Sequence, residues 1–353
     1  MAIKDIRLQQ FRSYTDASFS FGDGVNIIVG PNGSGKTNLL EAILVAALGG
    51  SYRARDFDVL QRDTDWFRID AHVVPEGVRT VKFMVLPRQS KTYEVDDKTY
   101  QRLTMHHMVP IVLFEPNHLL LLHGVPQLRR DYLDDILDQT VSGFTVFRRN
   151  YRRVLAQRNA LLKRGKPPTV QELFPWNLRL SELGAVIARA RVQLCEQLAS
   201  NLTDVYKEIA QGDTVVTLEY LAKFPLDTYE TQLLSKLESH LDEDIIRGFT
   251  AYGPHREDIA VRFDDRPADE YASRGETRTA ILALKIIELQ LLEVARGQTP
   301  LLLLDDVFSE LDSTRRRALT GFLRRYQTFL TTTDADVVTG LAEDVSTIIS
   351  LSR

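Results

Sequence analysis

The chain has 353 residues, 44% of them hydrophobic and 26% charged, with a formal net charge of −4. That is the composition of folded globular domains and excludes a disordered or collagen-like chain; the slight acidity gives no global electrostatic case for a nucleic-acid partner, so any such case must be local. The lone Cys195 forbids an internal disulfide and suits a reducing compartment. The opening residues 1–7 carry no apolar leader, and no run approaches the ~18 apolar residues of a membrane span. The expectation is a soluble, cytoplasmic protein with no membrane partner.

In chain order, a first strand is expected through Ile3, Ile6 and Leu8, a second over residues 17–21 and a third over 25–29. Phe11-Arg12-Ser13-Tyr14 is the turn between the first two; Arg12 and Ser13 either touch nucleotide phosphates or line an exposed turn. Gly30-Pro31-Asn32-Gly33-Ser34-Gly35-Lys36-Thr37 then fits G-x-x-x-x-G-K-[ST], between an apolar run and an apolar-periodic segment that starts at Asn38. Glycines let such a loop curl its N–H groups around a phosphate, Lys36 reaches the β- and γ-phosphates, and the Thr37 hydroxyl is placed for Mg²⁺. A helix follows to about Leu48 and stops at Gly49-Gly50. Arg53 and Arg55 come next, either near ligand or merely solvated.

Residues 66–103 alternate polar and apolar, as antiparallel strands with one wet face do. Residues 108–114 form an apolar strand that runs into Glu115-Pro116-Asn117-His118. From Pro126 to Gly212 the pattern is helical, with long helices expected over 142–164 and 176–210. The first carries Arg148, Arg149, Arg152, Arg153, Arg158, Lys163, Arg164 and Lys166 with no acid between them. Arg148/Arg152 and Arg149/Arg153 are i, i+4 pairs on one flank. Arginine forks suit phosphate oxygens, so this face is a candidate DNA-backbone surface, against the plainer reading of a solvated helix.

A strand is expected over 214–222, a short helix over 229–247, a Gly253-Pro254 loop, and a strand over 259–263. Helices over 273–295 and 313–325 alternate with strands over 301–305 and 327–333, followed by a short helix and a last strand over 346–351. Such alternation makes an open parallel α/β sheet. Four leucines, Leu301 to Leu304, run into Asp305 and Asp306. Adjacent carboxylates at the end of a buried strand call for a compensating cation, with Asp305 on the metal and Asp306 orienting the attacking water. Ser273-Arg274-Gly275-Glu276 reads as a capping box opening a helix, which is also an anion-binding geometry.

The order of phosphate loop, insertion, Ser-x-Gly-Glu, Asp-Asp and Ser309-Glu310-Leu311-Asp312 resembles an ABC-type, SMC-like ATPase head. Within that superfamily the chain resembles the RecF family of recombinational-repair ATPases. Gly35 to Ile43, Pro126 with Arg129-Arg130 and Leu133-Asp134, Tyr151 to Lys163, Gly253-Pro254-His255-Arg256, Leu303 to Val307 and Thr331-Thr332-Thr333 carry the likeness. Glu276 stands where the family commonly has Gln, His118 where it often has a carboxylate, and Thr333-Asp334 where transporter heads carry a histidine.

The resemblance implies an α/β ABC-type head with a parallel core sheet, an antiparallel β part and an inserted helical lobe, divided as 1–115, 116–245 and 246–353. It implies a slow, DNA-stimulated ATPase, with ATP and Mg²⁺ as cofactors. Ser273, Arg274, Gly275, Glu276 and Asp312 of one copy would meet the ATP held by another, so that ATP makes a homodimer. It also implies duplex, gapped or single-stranded DNA, RecR and RecO as partners, and a part in loading the RecA strand-exchange protein during repair, replication restart and the SOS response. The alternative is an ABC-type subunit that drives a membrane or other protein partner.

Overall fold

The computed structural model describes residues 1–308, 311–333 and 345–352. Two compact units emerge: residues 1–119 with 281–353, and residues 120–280. The expected α/β class holds. Ser309, Glu310, Asp334 and the short helix expected after Thr333 lie outside the described residues.

In the first unit, β1 (Ala2–Phe11) and β2 (Tyr14–Ser20) form a hairpin, and β3 (Val25–Val29) leads through the phosphate loop into α1 (Lys36–Leu48). Four antiparallel strands follow: β4 (Trp66–Val74), β5 (Gly77–Met84), β6 (Ser90–Val95) and β7 (Lys98–Tyr100). β8 (Ile111–Phe114) returns to the parallel sheet. Among the described residues the antiparallel sheet has the order β2-β1-β4-β5-β6-β7. Phe67, Ile69, Ala71 and Val73 of β4 are buried on one face while their neighbours are wet, as the period-two pattern requires. That apolar face and Leu39, Leu40 and Ile43 of α1 belong to one core.

The second unit opens with α2 (Pro126–Thr140), α3 (Phe144–Leu162) and α4 (Val170–Ala210). β9 (Val216–Leu221), α5 (Tyr229–Ser239) and α6 (Leu241–Arg247) come next, then β10 (Asp258–Phe263), β11 (Arg266–Pro267) and α7 (Ala268–Tyr271). α8 (Arg274–Arg296) starts in this unit and continues in the first, which closes with β12 (Leu301–Asp305), α9 (Ser313–Leu323), β13 (Thr328–Thr332) and β14 (Val345–Ser350).

The parallel sheet has the order β14-β3-β13-β12-β8. Every pairing in it is parallel. Its central strands β12 and β13 are buried throughout, which is why Leu301 to Leu304 read as a continuous apolar run. Gln327 ties the two sheets together: its Oε1 accepts from the Ile3 amide at 2.7 Å and its Nε2 donates to the Ile3 carbonyl at 2.7 Å. Arg79, buried on β5, donates to the Ala46 and Ala47 carbonyls and so satisfies the C-terminal end of α1.

Three expectations change. α4 begins at Val170, not after Pro175, because Thr169 and Glu172 form a full capping box, and Pro175 stands inside the helix at the loss of one backbone hydrogen bond. The single helix expected over 229–247 is two, broken at His240. The units divide at 119/120 and 280/281, whereas the expected divisions were 115/116 and 245/246. Residues 246–280 go with the helical unit because β10 pairs along its length with β9, and Arg129 of α2 makes a bidentate pair with Asp258 at 2.7 Å.

Candidate nucleotide site and basic helix

The phosphate loop stands where β3 ends and α1 begins. Gly33 and Gly35 have φ of 81° and 99°, conformations that L side chains rarely adopt. At Gly35 a Cβ would lie 2.8 Å from Tyr14 Oη and 3.1 Å from Ser13 Oγ, so the tip of the β1–β2 hairpin packs directly on the loop. The Lys36 ammonium donates to the Gly30 carbonyl at 2.8 Å and to the Pro31 carbonyl at 3.0 Å, folded across the loop itself. Ser34 Oγ is buried and has no hydrogen-bond partner among the described residues.

The second motif meets the first. Thr37 Oγ1 donates to Asp305 Oδ1 at 3.0 Å, across 268 residues of sequence. Thr331 at the end of β13 also donates to Asp305 Oδ1, at 2.8 Å, and accepts from the Asp306 amide at 2.9 Å. One hydroxyl therefore holds both carboxylate residues in place. Asp306 has φ of 53°, a left-handed conformation that lets the chain leave the strand sharply. β12 pairs with β8, which puts Glu115 beside this strand end. Burial, reinforced by the Asp305 charge, raises the Glu115 carboxyl above its ordinary range. His118 Nδ1 accepts from the Glu115 amide at 3.0 Å, and burial together with Lys285 holds the ring neutral, well below its ordinary range. Its place is to close the turn after β8.

Around the first turn of α1 lies a network that motif reading missed. Glu41 is fully buried. It takes a two-point fork from Arg12 at 2.8 and 2.9 Å, one bond from Arg53 at 2.8 Å and one from Ser51 at 2.5 Å. Burial alone would raise its carboxyl, but the hydrogen bonds from Arg12, Arg53 and Ser51 lower it to about 2. Asn38 joins the parts: it donates to Ser13 Oγ at 3.0 Å and accepts from Arg53 at 2.9 Å. The sequence signals were separate, Arg12 on a turn, Arg53 after α1 and Glu41 as an acid among the apolar residues of α1, and no spacing rule joined them.

In the second unit Ser273 and Glu276 make the expected reciprocal cap, with Ser273 N donating to Glu276 Oε2 at 2.8 Å and Glu276 N to Ser273 Oγ at 3.2 Å. Ser273 and Arg274 are exposed, and Gly275 is half-buried. In the first unit Asp312 caps α9 by accepting from the Arg315 amide at 2.9 Å, and it pairs with the Arg315 guanidinium.

The basic helix α3 divides in two. Arg158, expected to face phosphates, is fully buried: it pairs with Asp244 at 2.7 Å and donates to Asn177 and Thr250. It cannot reach a DNA backbone, because the i, i+3/i+4 spacing from Tyr151 and Val154 turns it inward with them. Arg148 pairs with Asp134, Asp135 and Asp138 of α2, and Arg152 with Asp131 at 3.4 Å. Arg149, Arg153 and Lys163 are exposed and form no ion pair among the described residues. Of the eight basic residues in the run, Arg148 and Arg152 are thus paired by acids of α2 and Arg158 by Asp244 of α6.

A parallel sheet with a phosphate loop at the end of β3, paired carboxylates at the end of β12 two strands away and a long insertion between them defines an ABC-type, SMC-like ATPase head. The family model described as the RecF/RecN/SMC N-terminal domain matches residues 2–351. The chain is 34% identical over 351 residues to the DNA replication and repair protein RecF of Acidothermus cellulolyticus, covering 95% of this chain and 94% of that one. A solved structure of the recombination mediator protein RecF-ATP in the RecFOR pathway superposes with a TM-score of 0.83 at 29% identity, covering 94% and 92% of the two chains. An Smc head bound to the C-terminal winged-helix domain of ScpA superposes with a TM-score of 0.53 at 15% identity over 99% and 94%, a likeness of fold alone. The chain belongs to the RecF family.

Proposed function

We propose that this chain is a DNA-binding ATP switch of recombinational repair and replication restart: a slow ATPase, stimulated by DNA, that dimerises on ATP and helps load the RecA strand-exchange protein at gapped DNA with RecR and RecO. The observation that carries the reading is the Thr37–Asp305 hydrogen bond, which joins the phosphate loop to the strand-end carboxylates. The names of the relatives, RecF-ATP and the RecFOR pathway among them, support the nucleotide and the partners.

In this reading Gly30 to Asn38 cradle the phosphates with backbone N–H groups, and Lys36 leaves the loop carbonyls to meet the terminal phosphates. Thr37 and Asp305 offer hard oxygens and fit Mg²⁺, which takes few protein ligands and completes its shell with phosphate and water. When bound, Mg²⁺ neutralises charge on the phosphate oxygens. Asp306, held through Thr331, orients the attacking water and accepts its proton. Ser273, Arg274, Gly275 and Glu276 at the α8 N-terminus, with Asp312, act on the nucleotide of a second copy. Arg12 and Ser13 add donors from the hairpin tip. Arg149, Arg153 and Lys163 contact DNA phosphates, with Arg148 and Arg152 partly committed to α2.

Fluorescence anisotropy of labelled duplex and gapped DNA tests this, with ATP and Mg²⁺, with ADP and with no nucleotide. Tight, salt-sensitive binding seen with ATP alone is expected. Absence of binding at low salt in all three conditions overturns the DNA reading.

A further inference from the structure

The Arg12–Glu41–Arg53 network has no part in the phosphate-loop motif, yet it is built against that loop. The hairpin tip that carries Arg12 touches Gly35, and Tyr14 Oη donates to the Gly35 carbonyl at 3.1 Å. Arg53 reaches Asn38, the second residue after Lys36, at 2.9 Å. Two guanidinia on different segments, one on a hairpin and one on the loop after α1, converge on a single carboxylate. Without that carboxylate they would repel each other and swing into solvent, since both retain some exposure while Glu41 has none. Arg12 Nη1 is further fastened to the Asp58 carbonyl at 2.7 Å, whereas Arg53 reaches Asn38 and Glu41 through Nη2. Glu41 sits on α1 one turn beyond Thr37, so its position is set by the same helix that presents the phosphate loop.

We infer that Glu41 is a positioning residue of the nucleotide site: it fixes the Arg12 and Arg53 guanidinia beside the phosphate loop, where they favour an anionic polyphosphate. This rests on the nucleotide reading proposed above. Glu41 touches no ligand itself. It acts through the two arginines, and Ser51 and Asn38 complete the frame by holding the carboxylate and the Arg53 fork.

The test is binding of a fluorescent ATP analogue to wild type, to Glu41→Gln, and to Glu41→Gln in an Arg12→Ala, Arg53→Ala background, with thermal unfolding of each. Glu41→Gln is expected to weaken binding about tenfold, the scale of losing charge-assisted hydrogen bonds. In the arginine-less background the same substitution is expected to change binding no further. A purely structural role predicts instead that Glu41→Gln lowers the unfolding temperature and leaves affinity unchanged, or that its loss persists undiminished without the arginines; either result overturns the inference. Ser51→Ala, which removes one donor to Glu41 from an accessible loop, covers the case in which Glu41→Gln does not fold: weaker binding at unchanged unfolding temperature supports the inference, and unchanged binding opposes it. A wild-type chain that binds no ATP analogue overturns the nucleotide reading as well, which separates the two failures.

Discussion

His255 shows how far a single residue's chemistry follows from its partners. The Thr250 carbonyl can only accept, so the His255 Nε2 at 3.0 Å carries the proton and Nδ1 accepts from Tyr151 Oη at 2.7 Å. A neutral ring satisfies both bonds. Burial is the main reason that His255 is pushed down to about 4, from an ordinary value near 6.5. The unfolded chain therefore binds the extra proton first. The stability that neutral His255 contributes is complete above about pH 6.5 and is lost as pH falls toward 4, an amount of about 3 kcal/mol. Urea titrations at pH 7 and pH 5 should show a smaller difference for His255→Gln than for wild type; an equal difference would place the acid sensitivity elsewhere. Gly253 makes room for this pair, since a Cβ there would lie 2.5 Å from Tyr151 Oη. The Gly-Pro-His-Arg run that carries family likeness is thus a packing device within the helical unit.

At the scale of elements, α3 separates structural from binding charge. Arg158 and Asp244 are both fully buried, so Arg158→Ala strands a buried carboxylate and should cost about 3–5 kcal/mol, read as a lowered midpoint of chemical denaturation. Arg149→Glu with Arg153→Glu should leave that midpoint nearly unchanged, weaken DNA binding and flatten its salt dependence. An unchanged salt slope would move the DNA surface off α3. The sequence placed all these arginines on one helix, and the helix exists. What it did not show is that α2 lies alongside with Asp131, Asp134, Asp135 and Asp138. Asp134 is also taken by the buried Arg191 at 2.9 Å, so this acidic helix serves the core as well as the surface. Helix starts are legible when the cap is chemical, as at Ser273–Glu276. At α4 the Thr169–Glu172 box sets a start at Val170, ahead of the residue 176 expected from the pattern.

For the whole molecule, two substitutions separate binding from assembly. Lys36→Ala should abolish ATP binding and ATP-induced dimerisation together, because Lys36 is the main positive charge on the loop. Ser273→Arg should leave ATP binding intact and block dimerisation, because Ser273 is exposed at the α8 N-terminus and its side chain caps its own helix. Light scattering with and without ATP reads both; a Ser273→Arg chain that dimerises normally would sink the two-copy sandwich.

Local chemistry made much of this protein legible in sequence. A phosphate loop needs its glycines, lysine and threonine in consecutive positions, a buried strand needs its leucines, and a reciprocal cap needs Ser and Glu three residues apart. Each of these is a short-range requirement written in adjacent letters. Tertiary structure alone decided the rest. Glu41 gathers Arg12 and Arg53, Thr331 links Asp305 to Asp306, Arg158 turns inward to Asp244, and β10 joins residues 246–280 to the helical unit. The physical reason is common to all four: a buried charge or an unpaired strand edge must find a partner, and the fold supplies it from residues that no spacing rule connects.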